Sequence, residues 1–121
     1  ESGLELIVDL GVWWQKETGL PLPLGGNVVR KDLGDKMVKE VTELFKSAIV
    51  FALEHRQDAL DYAMTFARDM KRELADKFVG MYVNELTVDY GERGRKAVTK
   101  LFEMAFEKGI TTELIVPEFV D

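Results

Sequence analysis

The stretch over residues 9–30 constrains the fold of this chain most. Its sequence, DLGVWWQKETGLPLPLGGNVVR, places two tryptophans, two prolines and a glycine pair between two β-branched runs. Pro21 and Pro23 fix their own φ angles and hold their neighbours extended. Gly25 and Gly26 permit backbone approaches that a Cβ would forbid. The segment is therefore either a rigid connection between a helical turn and a strand or the wall of a ligand cleft.

A ligand-binding role for this stretch would use six consecutive residues. The first three would supply an apolar wall, and the backbone amides of the last three would donate hydrogen bonds to a ligand oxygen. The amide side chain of the final residue would lie at the rim. This predicted substrate-binding segment consists of Leu22, Pro23, Leu24, Gly25, Gly26 and Asn27.

The composition restricts the class of protein and of partner. A chain of 121 residues with 46% hydrophobic and 31% charged residues suits one folded domain or lobe rather than a disordered segment. The net charge of -6 disfavours nucleic acid as a partner, because binding phosphates needs clustered cations. Cysteine is absent, which excludes disulfides and thiolate zinc sites and fits a reducing cytoplasm. No loop carries metal ligands at alternate positions, so no metal or other cofactor is expected.

Membrane insertion and export are also disfavoured. The longest unbroken apolar run, over residues 48–53, is far shorter than the ~20 residues that span a bilayer. The first residues show no basic region followed by an apolar stretch and a cleavage site. We therefore predict a cytoplasmic protein with no membrane partner.

Hydrophobic periodicity predicts a helix-rich α/β fold with two short strands and about four helices. The strands are predicted over residues 6–10 and 27–30, with a helical turn between them that ends at Gly19. From Met37 onward the apolar residues recur at helical spacing, in a stripe wide enough to be mostly buried. This pattern predicts two regions in the chain. Residues 1–34 form a strand, turn and strand segment that contains the proline and glycine loop, and residues 35–121 form a helical region.

Capping residues set the expected ends of the later helices. Asp58 is a candidate N-cap for the second helix after Met37, and Asn84 tolerates the left-handed conformation that ends a third. Thr87 is a candidate N-cap for the last helix, with Asp89 in its first turn. Gly109 suits the left-handed position after that helix.

Side chains that carry out catalysis are scarce. His55 is the only histidine, and its place at a helix junction favours a capping or surface role. The sequence contains no Gly-x-Ser-x-Gly motif and no cysteine, so no nucleophile is predicted. The glycines at 91 and 94 lack the lysine and hydroxyl of a phosphate-binding loop. We predict no catalytic residue.

The aromatic residues favour packing roles. Trp13 and Trp14 are adjacent, and neighbouring side chains on a helix point about 100° apart, so one of the two is expected in the core. Tyr82 and Tyr90 have an apolar body and a polar tip, and we interpret both as packing residues rather than proton donors.

Five stretches of the chain resemble a known family. After the run over 9–30 come FAR at 66–68, LADKFVGMYVN at 74–84, LTVDYGERG at 86–94 and PEFV at 117–120. In this order and spacing they resemble the 1,4-dihydroxy-6-naphthoate synthases of the futalosine route to menaquinone. The resemblance covers essentially the whole chain, but only the C-terminal part, a little under half, of a family member.

The resemblance implies a fold, a reaction and a missing base. It implies the C-terminal part of a two-lobed fold like that of type II periplasmic binding proteins, with the active site between the lobes. The implied enzyme is a lyase that converts cyclic dehypoxanthine futalosine into 1,4-dihydroxy-6-naphthoate. The family's histidine base lies in a His-Glu-Gly-like motif that no residue here matches, and it is expected upstream of Glu1. A chain that opens with glutamate and lacks this base is expected to be an inactive fragment.

The implied partners are a small-molecule substrate and the missing N-terminal lobe. Loss of that lobe would expose apolar surface, so formation of a homo-oligomer or exchange of elements between copies is expected. Two other functions stay open, because a fold does not fix a function. One is a lobe that binds a small solute without catalysis, and the other is a helical module that binds another protein.

Overall fold

In a computed structural model the described residues, 3–67 and 71–120, contain only helices as regular structure. Besides one short 3-10 turn over Lys31–Leu33, six α-helices are present there. They are α1 (Leu10–Thr18), α2 (Asp35–Glu54), α3 (Arg56–Met64), α4 (Arg72–Tyr82), α5 (Glu85–Val88) and α6 (Gly91–Glu107). Arg68, which belongs to a stretch quoted for the resemblance, lies outside the described residues.

These elements belong to two compact units. Unit 1 combines the described residues up to Leu24 with Gly91–Glu118, so it holds α1 and α6. Unit 2 combines the described residues of Gly25–Tyr90 with residues 119 and 120, so it holds α2 to α5. The sequence boundary between residues 34 and 35 rests on a change of periodicity and stays a prediction.

The predicted strands are wrong, and with them the α/β class and the arrangement like that of a periplasmic binding protein. The segments over 4–9 and 27–30 are irregular, and Ile7 and Val28 are 94% and 97% exposed. A strand is stable only beside another strand that exchanges backbone hydrogen bonds with it. Within the part of the chain that the structure describes, neither segment has such a neighbour. Their β-branched composition was therefore an insufficient signal.

Helix α1 begins where the first strand was expected to end. The Asp9 carboxylate accepts a hydrogen bond from the Val12 amide at 3.0 Å, which satisfies one of the open donors of the first turn. At the other end Gly19 has a φ of 70° and its amide donates to the Gln15 carbonyl. The predicted helical turn and its end at Gly19 are confirmed.

Helix α6 ends as predicted but begins later. Gly109 has a φ of 67°, and its amide donates to the Phe106 carbonyl at 2.9 Å, while the Ile110 amide donates to the Ala105 carbonyl at 2.9 Å. This pair of bonds is the Schellman motif that glycine favours, which confirms the role of Gly109. The start is Gly91.

Asn84 and Thr87 have other roles than predicted. Asn84 has a φ of -152° and precedes α5, where its side chain accepts from the Leu86 amide at 3.0 Å. The Thr87 hydroxyl accepts from the Asn84 amide at 3.1 Å, which completes a capping box. Asp89 follows α5 as its C-cap, so neither Thr87 nor Asp89 begins the last helix.

Helix α3 begins before its predicted N-cap. It follows α2 after the single residue His55, so Asp58 lies in its first turn rather than at its N-cap.

In unit 2 an ion pair joins α3 to α4. The Arg56 Nε donates to the Asp76 carboxylate at 2.9 Å, and its Nη2 donates to the Asp76 carbonyl at 3.1 Å. Arg56 is the first residue of α3 and Asp76 lies within α4, so this contact fixes the two helices to each other.

Few apolar side chains are buried. Among the described residues the buried hydrophobic ones are Trp14, Leu60, Ala75 and Ala97. The stripe on α2, which was expected to be mostly buried, is open instead, since Leu44 is 72% exposed. No helix in residues 3–67 or 71–120 is long and apolar enough to cross a membrane.

Candidate functional site

In unit 1, Trp14 fixes the proline part of the predicted segment. Its indole Nε1 donates a hydrogen bond to the Pro21 carbonyl at 3.0 Å, and its side chain is only 2% exposed. Thr18 supports the same turn, because its hydroxyl donates to the Trp14 carbonyl at 2.8 Å and accepts from the Leu20 amide at 3.1 Å. Trp13 is 45% exposed, so the prediction that one tryptophan belongs to the core is confirmed.

The apolar residues that follow are only partly covered. Leu22 and Pro23 are half-buried, and Leu24 is 55% exposed. An exposed apolar wall of this kind suits contact with a ligand or with protein. The role of these three residues in substrate binding stays a prediction.

In unit 2, the second glycine of the pair lies against a tyrosine. A Cβ at Gly26 would come within 2.9 Å of the Tyr90 hydroxyl oxygen, whereas a Cβ at Gly25 would meet nothing within 4 Å. Glycine at 26 therefore permits a close approach that alanine would disturb. The role of Gly25, Gly26 and Asn27 in binding also stays a prediction.

Tyr90 is the residue that sequence reasoning missed near this segment. Its ring packs edge to face on Phe119, with 5.6 Å between the ring centroids. The packing role predicted for Tyr90 is therefore confirmed for its ring. The hydroxyl takes no part in that packing and lies beside Gly26. The only available signal was that residues 86–94 and 117–120 both carry the family resemblance, because nothing in their spacing places them beside Gly26.

A charged pair follows the segment. The Arg30 Nε donates to the Asp32 carboxylate at 2.9 Å, and the Nη2 also contacts it. The hydrogen bond from Arg30 lowers the pKa of Asp32 below its ordinary value, and the same contact raises the pKa of Arg30. Both side chains are largely exposed, so this is a surface ion pair and not a buried charge site.

His55 has structural contacts. Its ring stacks on Phe51 with 4.0 Å between centroids, and its Nδ1 lies 2.9 Å from the Phe51 carbonyl oxygen. One ring nitrogen is thus engaged with the last turn of α2. This geometry fits the predicted capping role at the junction of α2 and α3.

Concave surfaces are present in both units. In unit 1 a groove of about 380 Å³ runs along α6, where Lys96 and Lys100 pair with Glu92 and Glu103. In unit 2 a cavity of about 140 Å³ is lined by aliphatic side chains and by the Arg56 and Asp76 pair. No group of three potential metal ligands occurs in the described ranges.

Comparison with known proteins identifies relatives over nearly the whole chain. A family model described as menaquinone biosynthesis matches residues 1–107. A 1,4-dihydroxy-6-naphthoate synthase of Thermus thermophilus is 40% identical over 118 residues, covering 98% of this chain and 43% of that protein. A protein of the same name from Streptomyces coelicolor is 33% identical over 112 residues, covering 93% and 40%. The chain thus spans about two fifths of these relatives.

A solved structure is similar in the same way. A crystal structure of an Archaeoglobus fulgidus protein superposes with a TM-score of 0.84 at 40% identity, covering 90% of this chain and 41% of that one. The family resemblance seen in the sequence is therefore confirmed. With the family model matching most of its length, the chain belongs to the menaquinone biosynthesis family.

Proposed function

We propose that this chain is part of a 1,4-dihydroxy-6-naphthoate synthase. The proposed reaction is the lyase-type conversion of cyclic dehypoxanthine futalosine into 1,4-dihydroxy-6-naphthoate on the futalosine route. The observation that carries the proposal is the 40% identity over 118 residues to a relative of that name. A cytoplasmic location belongs to the proposal and is supported by the absence of cysteine from the sequence.

In this proposal the chain binds and orients substrate, while the proton acceptor lies elsewhere. A general base must come within hydrogen-bond reach of the proton it removes. His55 is the single histidine, and its Nδ1 is engaged with the Phe51 carbonyl. A binding surface still contributes to the rate, because it holds the reacting atom against the base.

The remaining polypeptide of the family is the proposed partner. The relatives are more than twice as long as the matched region. Apolar side chains of this chain lie open to solvent in both units, including Leu10 at 63% and Phe51 at 61%. Exposed apolar surface of this extent is typical of an interface with other protein.

The test compares the gene product that contains this chain, expressed in full, with the 121 residues alone. Both are incubated with cyclic dehypoxanthine futalosine, and the naphthoate product is measured by chromatography and mass spectrometry. We expect product from the full gene product and none from the 121 residues. A matched variant, His55→Gln, is expected to leave the rate of the full gene product unchanged.

The outcomes separate the parts of the proposal. Absence of product from the full gene product contradicts the synthase assignment. Tight binding of 1,4-dihydroxy-6-naphthoate without turnover of the substrate would favour a solute-binding lobe. Product from the 121 residues alone contradicts the placement of the base. Loss of activity in His55→Gln, with the melting temperature unchanged, contradicts the structural role of that residue.

A second candidate is a helical module that binds another protein. It is favoured by the open stripe on α2, where Leu44 is 72% exposed and Phe45 is 47% exposed. Light scattering of the 121 residues with and without naphthoate tests it. A stable oligomer that is indifferent to the ligand supports this candidate, and a monomer at high concentration contradicts it.

A further inference from the structure

Three segments that are far apart in the sequence meet at Tyr90 in unit 2. Its hydroxyl oxygen lies where a Cβ at Gly26 would be 2.9 Å away, and its ring contacts Phe119. Each of the three residues lies in a different stretch that carries the family resemblance. The fold therefore brings a phenolic hydroxyl to the glycine part of the predicted substrate-binding segment.

The ring of Tyr90 is held while its hydroxyl stays available. Edge-to-face packing on Phe119 orients the ring, and Tyr90 is half-buried. Within residues 3–67 and 71–120 no hydrogen bond from its hydroxyl to protein is present. Phenylalanine would supply the same packing, so the hydroxyl is the part of this side chain that a ligand can use.

The groups beside the hydroxyl define the kind of ligand oxygen. Backbone amides are donors only, and a tyrosine hydroxyl can also donate. The segment around Gly26 and Asn27 is irregular and exposed, so its amides are accessible. More than one donor near Gly26 suits a carboxylate oxygen, because hydrogen bonds to an ionised acceptor are the strong ones.

We propose that the Tyr90 hydroxyl is a ligand-binding group that donates a hydrogen bond to the carboxylate of a hydroxylated aromatic acid, beside the amides of Gly26 and Asn27. This inference rests on the proposed function, since the product named for the relatives is such an acid. Phe119 is then a positioning residue, which holds the ring of Tyr90 without touching the ligand.

The experiment uses the full gene product and two probes, 1,4-dihydroxy-6-naphthoate and 1,4-dihydroxynaphthalene, which lacks the carboxylate. Tyr90→Phe removes the hydroxyl and keeps the ring. We expect it to weaken naphthoate binding about tenfold, as for loss of one hydrogen bond to a charged group. Binding of 1,4-dihydroxynaphthalene and the melting temperature are expected to stay nearly unchanged.

Tyr82→Phe is the matched control. Tyr82 packs on Phe78 with 5.0 Å between centroids, so its substitution removes a hydroxyl from another aromatic pair in the same unit. We expect no change in the dissociation constant for either probe. Equal weakening of both variants would show a nonspecific effect and overturn the inference.

Wild type and Tyr90→Phe together distinguish loss of the hydroxyl contact from absence of the synthase activity. If wild type binds naphthoate and forms product but Tyr90→Phe binds naphthoate equally well, the inference is overturned and the function stands. If Tyr90→Phe weakens both probes equally, the hydroxyl does not recognise the carboxylate, and the inference is again overturned. If wild type neither binds naphthoate nor forms product, the proposed function itself fails and the inference fails with it.

Discussion

The indole nitrogen of Trp14 donates a hydrogen bond to the Pro21 carbonyl at 3.0 Å. This bond joins the most buried aromatic side chain of unit 1 to the first proline of the predicted segment. Pro21 lacks an amide hydrogen, so its carbonyl is its only backbone hydrogen-bonding group. The Trp14 side chain thus contributes directly to the path of the chain after α1.

Substitution of Trp14 is therefore expected to destabilise the chain. Trp14→Phe removes the donor and leaves a small void, which together should lower the free energy of unfolding by about 2 kcal/mol. Trp13→Phe is the matched control, because Trp13 is 45% exposed, and it should change stability by less than about 0.5 kcal/mol. Chemical denaturation of both variants measures the difference. Equal losses in the two variants would contradict the role of the bond.

Features fixed by neighbouring residues were predictable from the sequence. The stripe from Met37 predicted α2 because helical periodicity depends only on spacing. The helix ends at Gly19 and Gly109 were predictable because glycine accepts a positive φ without strain. Both residues do adopt a positive φ. The burial of that stripe was not predictable, because it depends on what packs against the helix.

Features that need a distant partner were missed. The segment over 27–30 has strand composition, but no neighbouring strand lies beside it in the described part of the chain. Asn84 can end one helix or begin another. The hydrogen bond from its amide to the Thr87 hydroxyl favours the second role. The approach of Tyr90 to Gly26 is a tertiary contact, so local spacing carried no signal for it.

That approach predicts coupling between the two positions. Gly26→Ala places a Cβ against the Tyr90 hydroxyl, which should lower the free energy of unfolding by about 1 kcal/mol. In a Tyr90→Phe background the same substitution should cost clearly less, because the atom in the way is gone. A double-mutant cycle by chemical denaturation measures this coupling. Gly25→Ala is the control and should stay within about 0.5 kcal/mol, since space around it is open.

A larger side chain at the same place tests binding. Gly26→Val in the full gene product is expected to weaken substrate binding strongly, because the larger side chain would block the amides of this segment. The melting temperature is expected to fall only slightly, because the segment is exposed. Isothermal titration and thermal unfolding give the two quantities. Parallel loss of both would show that Gly26 serves packing alone.

The charged pair after the segment predicts a titration shift. Arg30 lowers the pKa of Asp32, so the stabilisation from this pair is present above the ordinary pKa of an aspartate in the unfolded chain, about 3.9. It is lost as the pH falls through the lower pKa of the folded chain. Arg30→Gln should return the pKa of Asp32 toward its ordinary value, as measured by carboxyl NMR titration. Lys36→Gln, which removes a cation paired with Glu40 instead, should leave it unchanged.

Two leucines of unit 2 distinguish the core from the proposed interface. Leu60 is 4% exposed, so Leu60→Ala should lower the free energy of unfolding of the 121 residues by about 3 kcal/mol. Leu44 is 72% exposed, so Leu44→Ala should change it by less than about 0.5 kcal/mol. In the full gene product the remaining polypeptide is the proposed partner of open apolar surface, and if it covers α2 there, Leu44→Ala should instead cost about 2 kcal/mol. An equally small effect of Leu44→Ala in both proteins, measured by chemical denaturation, would contradict that covering of α2.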